Sequence, residues 1–248
     1  MNEPVVVQGL TKYFYDESRG EVRAVQEVDF ACRAGEIFGL LGANGAGKTT
    51  TLRMLATILA PTAGTASLLG HDVVREPEEA RRHLGFYSSS TALYPRLTAR
   101  ETIEFFARIN RYPAAQIAQR VGELIERFGI ASYADVRVDR LSTGMKQKVS
   151  IARTVAHDPP VLIFDEPTVG LDVLNALELQ ERIREFRAQG KTIVFSTHIM
   201  SEAEKLCDRI AIIHDGRILA CDTLDGLRRA TGTHYLEDIF VCYVKGRE

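Results

Sequence analysis

Apolar residues change their spacing several times along this chain, and each change marks an element. Ile37 to Leu41 is an unbroken apolar run ending at Gly42, and Leu52, Leu55 and Leu59 then recur at helical spacing within Thr49 to Leu59. A buried strand is therefore expected to pass through a short loop into a helix. Val161 to Phe164 and Thr192 to Ser196 are two further strand-like runs, followed by helical patterns over Val173 to Ala188 and Ser201 to Cys207. This alternation predicts a parallel sheet. Before it, Val5-Val6-Val7 and Ala24 to Phe30 read as strands of an antiparallel platform, broken by the polar stretch Asp16 to Gly20. From Pro77 to Phe128 the period turns helical, with Pro77 suited to a first turn and Ile117, Val121, Leu124, Ile125 and Phe128 on one stripe. Asp215-Gly216 between Ala211–His214 and Arg217–Ala220 signals a hairpin with a type I′ turn. Residues from Thr223 onward carry no assignment beyond that of a tail.

Composition narrows the class. The chain has 248 residues, 45% apolar and 26% charged, which suits an ordinary globular protein rather than a disordered or fibrous one. A formal net charge of −2 lacks the basic excess that duplex binding uses, so nucleic acid is not an expected partner. No apolar stretch reaches the roughly 18 residues of a membrane span, and Met1-Asn2-Glu3-Pro4 does not begin a secretory signal. A cytoplasmic location is expected. The 4 cysteines (Cys32, Cys207, Cys221, Cys242) show neither a CxxC pair nor metal-ligand spacing and are expected to be reduced and packed.

The candidate chemistry begins at Gly42-Ala43-Asn44-Gly45-Ala46-Gly47-Lys48-Thr49, a match to GxxxxGK[ST] in its required strand-to-helix context. Gly42, Gly45 and Gly47 allow close backbone approach, and successive N–H groups, including those of Asn44 and Ala46, join the helix N-terminus in binding phosphate. Lys48 reaches the terminal phosphates, Thr49 offers a hydroxyl to Mg²⁺, and Thr50 adds a hydrogen bond nearby. The loop implies ATP and Mg²⁺. Asp165 and Glu166 close the Val161–Phe164 strand at its C-terminal end, where open α/β sheets place their ligands. Because side chains alternate along a strand, the two can divide the work: Asp165 in the metal shell, Glu166 on the attacking water. Ser142 and Gly144 lie at the mouth of a helix expected from about Lys146 to His157, either a second anion site or a plain helix cap. His198 ends the last core strand, placed to sense a γ-phosphate or simply a polar strand-end residue.

The order of these motifs resembles the ATP-binding subunits of ABC transporters over residues 3 to 222. The resemblance implies an α/β fold: a P-loop NTPase core with a mixed sheet, an antiparallel β platform and an inserted helical subdomain. The RecA-like core would cover about 1–84 and 146–222, the helical subdomain about 85–145, and a C-terminal tail 223–248. It matches Gly42–Thr50 to the Walker A loop, Val161–Glu166 to the Walker B strand and its catalytic glutamate, and Leu141–Met145 to the signature. Gly170-Leu171-Asp172 matches the D-loop and His198 the switch histidine. Phe14 falls at the adenine-stacking position, with Tyr13 and Tyr15 as alternatives. The resemblance further implies a head-to-tail dimer with a second ATP-binding subunit, as a homodimer, each ATP lying between one P-loop and the other subunit's signature. It also implies a membrane permease docked near Leu93–Leu97, so that the chain sits on the cytoplasmic face of the membrane. Two positions depart from the family: Thr143 and Met145 replace the usual Gly and Gln, and Ser89 stands where the Q-loop glutamine is expected. With these departures the chain is similar to the NatA-type sodium-exporter and drug-export ATPases. The expected function is an ATP-hydrolysing exporter motor. The competing readings are a soluble ABC ATPase acting on ribosomes or DNA and a nucleotide-binding regulator without turnover.

Overall fold

In a computed structural model, residues 2–18, 20–88 and 92–246 are described. The chain opens with β1 (Val5–Asp16) and β2 (Gly20–Cys32), which pair antiparallel. β3 (Ile37–Leu41) follows, all five residues buried, and runs through residues 42–47 into α1 (Lys48–Leu55). That helix stops before the expected Leu59, because Thr57 takes a left-handed φ of 58°. β4 (Ala63–Leu68) and β5 (His71–Asp72), not assigned from sequence, complete a four-stranded platform in the order β2-β1-β4-β5.

The helical reading of Pro77–Phe128 is corrected in one stretch. α2 (Pro77–Arg82) is followed by β6 (Leu84–Ser88), a strand, before α3 (Ala99–Ile109) and α4 (Ile117–Arg127) resume the helical pattern. Five residues between two helical patterns are too few to display their own period. What decides the strand is tertiary: β6 pairs in parallel with β7 (Val161–Asp165), and a Cβ at Gly85 would lie 2.5 Å from the Thr154 carbonyl. Thr154 ends α5 (Thr143–Thr154).

The second sheet has six strands in the order β10-β9-β3-β8-β7-β6. Here β8 is Thr192–Thr197, β9 Arg209–His214 and β10 Arg217–Asp222. β3, β6, β7, β8 and β9 are parallel, and β10 returns antiparallel through Asp215 and Gly216, both at positive φ as a type I′ turn requires. α6 (Val173–Ala188) and α7 (Met200–Leu206) are crossover helices. The order places β3, β8 and β7 side by side at the centre, so the segments leaving their C-terminal ends, at Gly42, His198 and Glu166, emerge together.

One hydrophobic cluster joins α3, α4 and α5 to one face of this sheet, and a second fills the space between sheet, α1 and platform. The residues after Thr223 form α8 (Leu224–Thr231) and α9 (Leu236–Lys245). Leu227, Leu236 and Ile239 bury themselves against Leu41, Ala203 and Ile212 in a third cluster. All four cysteines are free; Cys32 is buried as expected, whereas Cys242 on α9 is exposed. None of the helices among the described residues is long and apolar enough to cross a membrane.

Candidate active site

The loop after β3 is wedged between two other backbones, which gives its glycines separate reasons. A Cβ at Gly42 would lie 2.4 Å from the Ile213 carbonyl, and one at Gly47 would lie 2.5 Å from the Ala24 carbonyl. Gly45 has open space but needs its left-handed φ of 83°. The β9–β10 turn braces the loop from outside, with the Gly216 N–H donating to the Ala46 carbonyl at 3.0 Å. Ala46 is buried against the core, Asn44 is exposed at the loop tip, and Thr50 is half-buried on α1.

Lys48, only 4% exposed, starts α1 and turns its ammonium back into the loop. It donates to the carbonyls of Gly42 at 2.8 Å and Ala43 at 2.9 Å, and pairs with Glu166 Oε1 at 3.0 Å. On the next residue, Thr49 Oγ1 donates to Asp165 Oδ1 at 3.1 Å. Ser196 also donates to Asp165 Oδ1, at 2.8 Å, while its own oxygen accepts the Glu166 N–H at 3.0 Å. That N–H belongs to a residue at φ 46°, an unusual conformation for glutamate that turns its side chain away from that of Asp165. The Nδ1 of His198 stands 3.4 Å from Glu166 Oε1.

Electrostatics separates the two carboxylates. Burial pushes Asp165 above the usual carboxylate range, against the lowering effect of the Ser196 and Thr49 hydroxyls. Burial would raise Glu166 as well, but the Lys48 ammonium and His198 outweigh it and hold the group below its ordinary value. Glu166 is accordingly ionised at neutral pH and can accept a proton or orient a water. The fully buried Ser196, which aligns both acids, escaped the sequence reading. Its signal is the parallel register that sets Asp165 opposite Ser196, which no local pattern reveals.

Ser142 caps α5, its Oγ accepting the Met145 N–H at 3.3 Å, so the simple cap is real. Gly144 behaves differently. A Cβ there would meet nothing within 4 Å, so the fold's own packing does not require a glycine, although one inside a helix costs roughly 1 kcal/mol. Met145 packs, partly buried, on the helical cluster in place of the family's amide. Phe14 on β1 is 42% exposed, with the Lys12 ammonium 5.3 Å from its ring; Tyr15 is more exposed still, and Tyr13 lies under Arg23. The structure thus gathers residues 42–49, Asp165, Glu166 and His198 into one cluster. Ser142, Gly144 and Phe14 share no hydrogen bond or ion pair with it among the described residues. Ser89 lies outside the described residues.

Comparison with known proteins meets this geometry. The ABC transporter family matches residues 25–169. The ABC transporter ATP-binding protein NatA of Bacillus subtilis (strain 168) is 39% identical over 92% of this chain and 93% of its own length. The Nod factor export ATP-binding protein I of Paraburkholderia xenovorans (strain LB400) is 46% identical over 82% of this chain and 67% of its own. Among solved structures, an ATP-binding subunit of an ABC transporter superposes with a TM-score of 0.87 at 33% identity, covering 97% of this chain and 99% of that one. A dimeric ATP-binding cassette in a post-hydrolysis state, bound to ADP and Pi, gives a TM-score of 0.77 at 25% identity, covering 88% of this chain and 98% of that one. Motif order, the pairing of buried Lys48 with Glu166 beside a paired threonine and aspartate, and these likenesses agree: the chain belongs to the ABC transporter ATP-binding family and is an ATPase.

Proposed function

We propose that the chain is the motor subunit of an ABC exporter, in which ATP joins two ATPase subunits and hydrolysis separates them, driving transport through a separate membrane subunit. The observation that carries this reading is the division of the site. One set of groups converges on Lys48, while Ser142 and an unconstrained Gly144 stand apart at the surface. A second subunit, docked head to tail, would bring its own Ser142 to the γ-phosphate of ATP held on this subunit's loop. The dimeric cassette bound to ADP and Pi supports that pairing.

In this reading Lys48 and the N–H groups of the loop hold the triphosphate, Phe14 stacks on adenine, and His198 meets the γ-phosphate. Glu166 orients the attacking water and takes its proton, after Lys48 shifts from the carboxylate towards phosphate. Thr49 and Asp165 would hold Mg²⁺, and the fit is good: a hydroxyl and a carboxylate, both hard oxygen donors, already lie 3.1 Å apart. When bound, that ion supplies charge neutralisation at the β- and γ-phosphates.

Export, rather than work on ribosomes or nucleic acid, is supported by the names of the relatives and by the net charge of −2. The cargo proposed is sodium, resting on the NatA-type resemblance alone. The membrane subunit would dock on the helical lobe near Leu93–Leu97 and keep the chain at the cytoplasmic face. Affinity capture of the tagged chain from detergent-solubilised membranes tests the assignment. A multi-span hydrophobic protein should co-purify and modulate the ATPase rate; capture of ribosomes or DNA with no membrane protein would refute export. Sodium efflux from vesicles carrying both subunits tests the cargo.

A further inference from the structure

The turn that presents His198 is held by a buried hydrogen-bond chain. Thr197, the last residue of β8, donates its hydroxyl to Glu202 Oε2 at 2.8 Å and accepts the Ile199 N–H on the same oxygen at 3.0 Å. His198 therefore lies between two residues joined through one hydroxyl, whose direction is set by the carboxylate. The Thr197 carbonyl meanwhile accepts the Gly42 N–H at 3.3 Å, tying the same residue to the first position of the phosphate loop. The other oxygen of Glu202 accepts from the Gln180 amide of α6 at 3.5 Å.

Thr197, Gln180 and Glu202 are all buried, and Glu202 has no ion-pair partner among the described residues. A carboxylate sealed from water without a cation is expensive, and its position in the first turn of α7 offsets only part of that cost. The local structure explains its use. Ile199 at the helix N-cap has no side-chain oxygen, so the N–H there is met by Thr197, and Glu202 aims Thr197.

We propose that Glu202 is a positioning residue for ATP hydrolysis, fixing the His198 turn through the hydroxyl of Thr197. The chain through Gln180 extends this control to α6, the helix that begins after Gly170-Leu171-Asp172. The proposal rests on the reading of His198 as a group that meets γ-phosphate, so His198→Ala is measured alongside.

The test is steady-state Mg-ATP turnover of the full chain with Glu202→Ala, Glu202→Gln, Thr197→Val and the Thr197→Val/Glu202→Ala double variant. The expected result is a fall in kcat of about tenfold in each alanine or valine variant, with KM for ATP within about twofold, because the Lys48 grip is untouched. Glu202→Gln should recover most of the rate, since its carbonyl still accepts from Thr197 and its amide can donate to Gln180 Oε1, which lacks a partner, once the Gln180 amide turns over. The double variant should be no slower than the single ones, as expected for residues acting as one unit. Wild-type kcat in Thr197→Val, equal losses in Glu202→Gln and Glu202→Ala, or multiplicative losses in the double variant would each overturn the proposal. Should Glu202→Ala not fold, Thr197→Val with Thr197→Ser as its rescue decides the matter alone. A slow His198→Ala beside a fast Thr197→Val removes the positioning role only; a fast His198→Ala removes the reading of His198 itself.

Discussion

The sheet edge around Lys48 and the mouth of α5 around Ser142 both resemble phosphate-binding places, yet they satisfy their polar groups in different ways. At the sheet edge, Lys48, Glu166, His198, Thr49, Asp165 and Ser196 bond to one another within a few ångströms. At the helix mouth, the one hydrogen bond of the Ser142 side chain among the described residues is from the Met145 N–H it caps, and a Cβ at Gly144 would meet open space. The first place is preorganised by its own chain, so a ligand there exchanges partners that already exist. The second offers a helix N-terminus with nothing of its own to bind, which suits a group delivered from outside. In the proposed dimer, such a surface would act when the second subunit brings it a phosphate.

That contrast can be broken in graded steps. The largest effect belongs to Lys48→Ala, which removes the cation of the sheet edge and should weaken nucleotide binding by at least about a hundredfold in equilibrium titration. Near-normal affinity would mean the loop does not carry binding. Glu166→Gln should lower turnover by roughly a hundredfold or more while ATP stays bound, and ATP should then hold the chain as a dimer in size-exclusion chromatography. An unchanged rate would move the base elsewhere.

Ser142→Ala probes the opposite region. Turnover should fall about tenfold, with nucleotide affinity of the monomer unaffected and a stability loss of about 1 kcal/mol from the missing cap. If monomer affinity fell as well, the two regions would not be separate halves of the site.

The smallest effect is electrostatic. Glu166 has a folded-state pKa below its ordinary value of 4.5, so its ion pairing stabilises the fold above about that pH and is lost as pH falls through the lower folded value. Asp165, raised above 3.8, acts in the opposite sense and loses stability as pH rises through that region. Urea unfolding of the wild type should therefore lose this contribution as pH is lowered below about 4.5, and Glu166→Gln should lack that loss. The same series in Ser142→Ala should keep the wild-type pH dependence, because the Ser142 hydroxyl has no titrating partner among the described residues.

What the sequence determined by itself was local. The loop from Gly42 to Thr49, the acids closing Val161–Phe164, the cap at Ser142 and the Asp215-Gly216 turn are each written in contiguous residues, whose spacing states both conformation and chemistry. The tertiary structure decided what depends on register and packing between distant segments. Leu84–Ser88 is a strand because β7 lies beside it, and residues 224–231 and 236–245 are helices docked on Leu41 and Ile212 rather than an unassigned tail. Gly42 and Gly47 are needed as much for the Ile213 and Ala24 backbones as for phosphate. Ser196 reaches Asp165 only after parallel pairing has set the two strands opposite one another, and Gln180 reaches Glu202 only once α6 packs beside α7. Periodicity shows which face of a strand is buried, but it carries no information about the neighbour that face will meet.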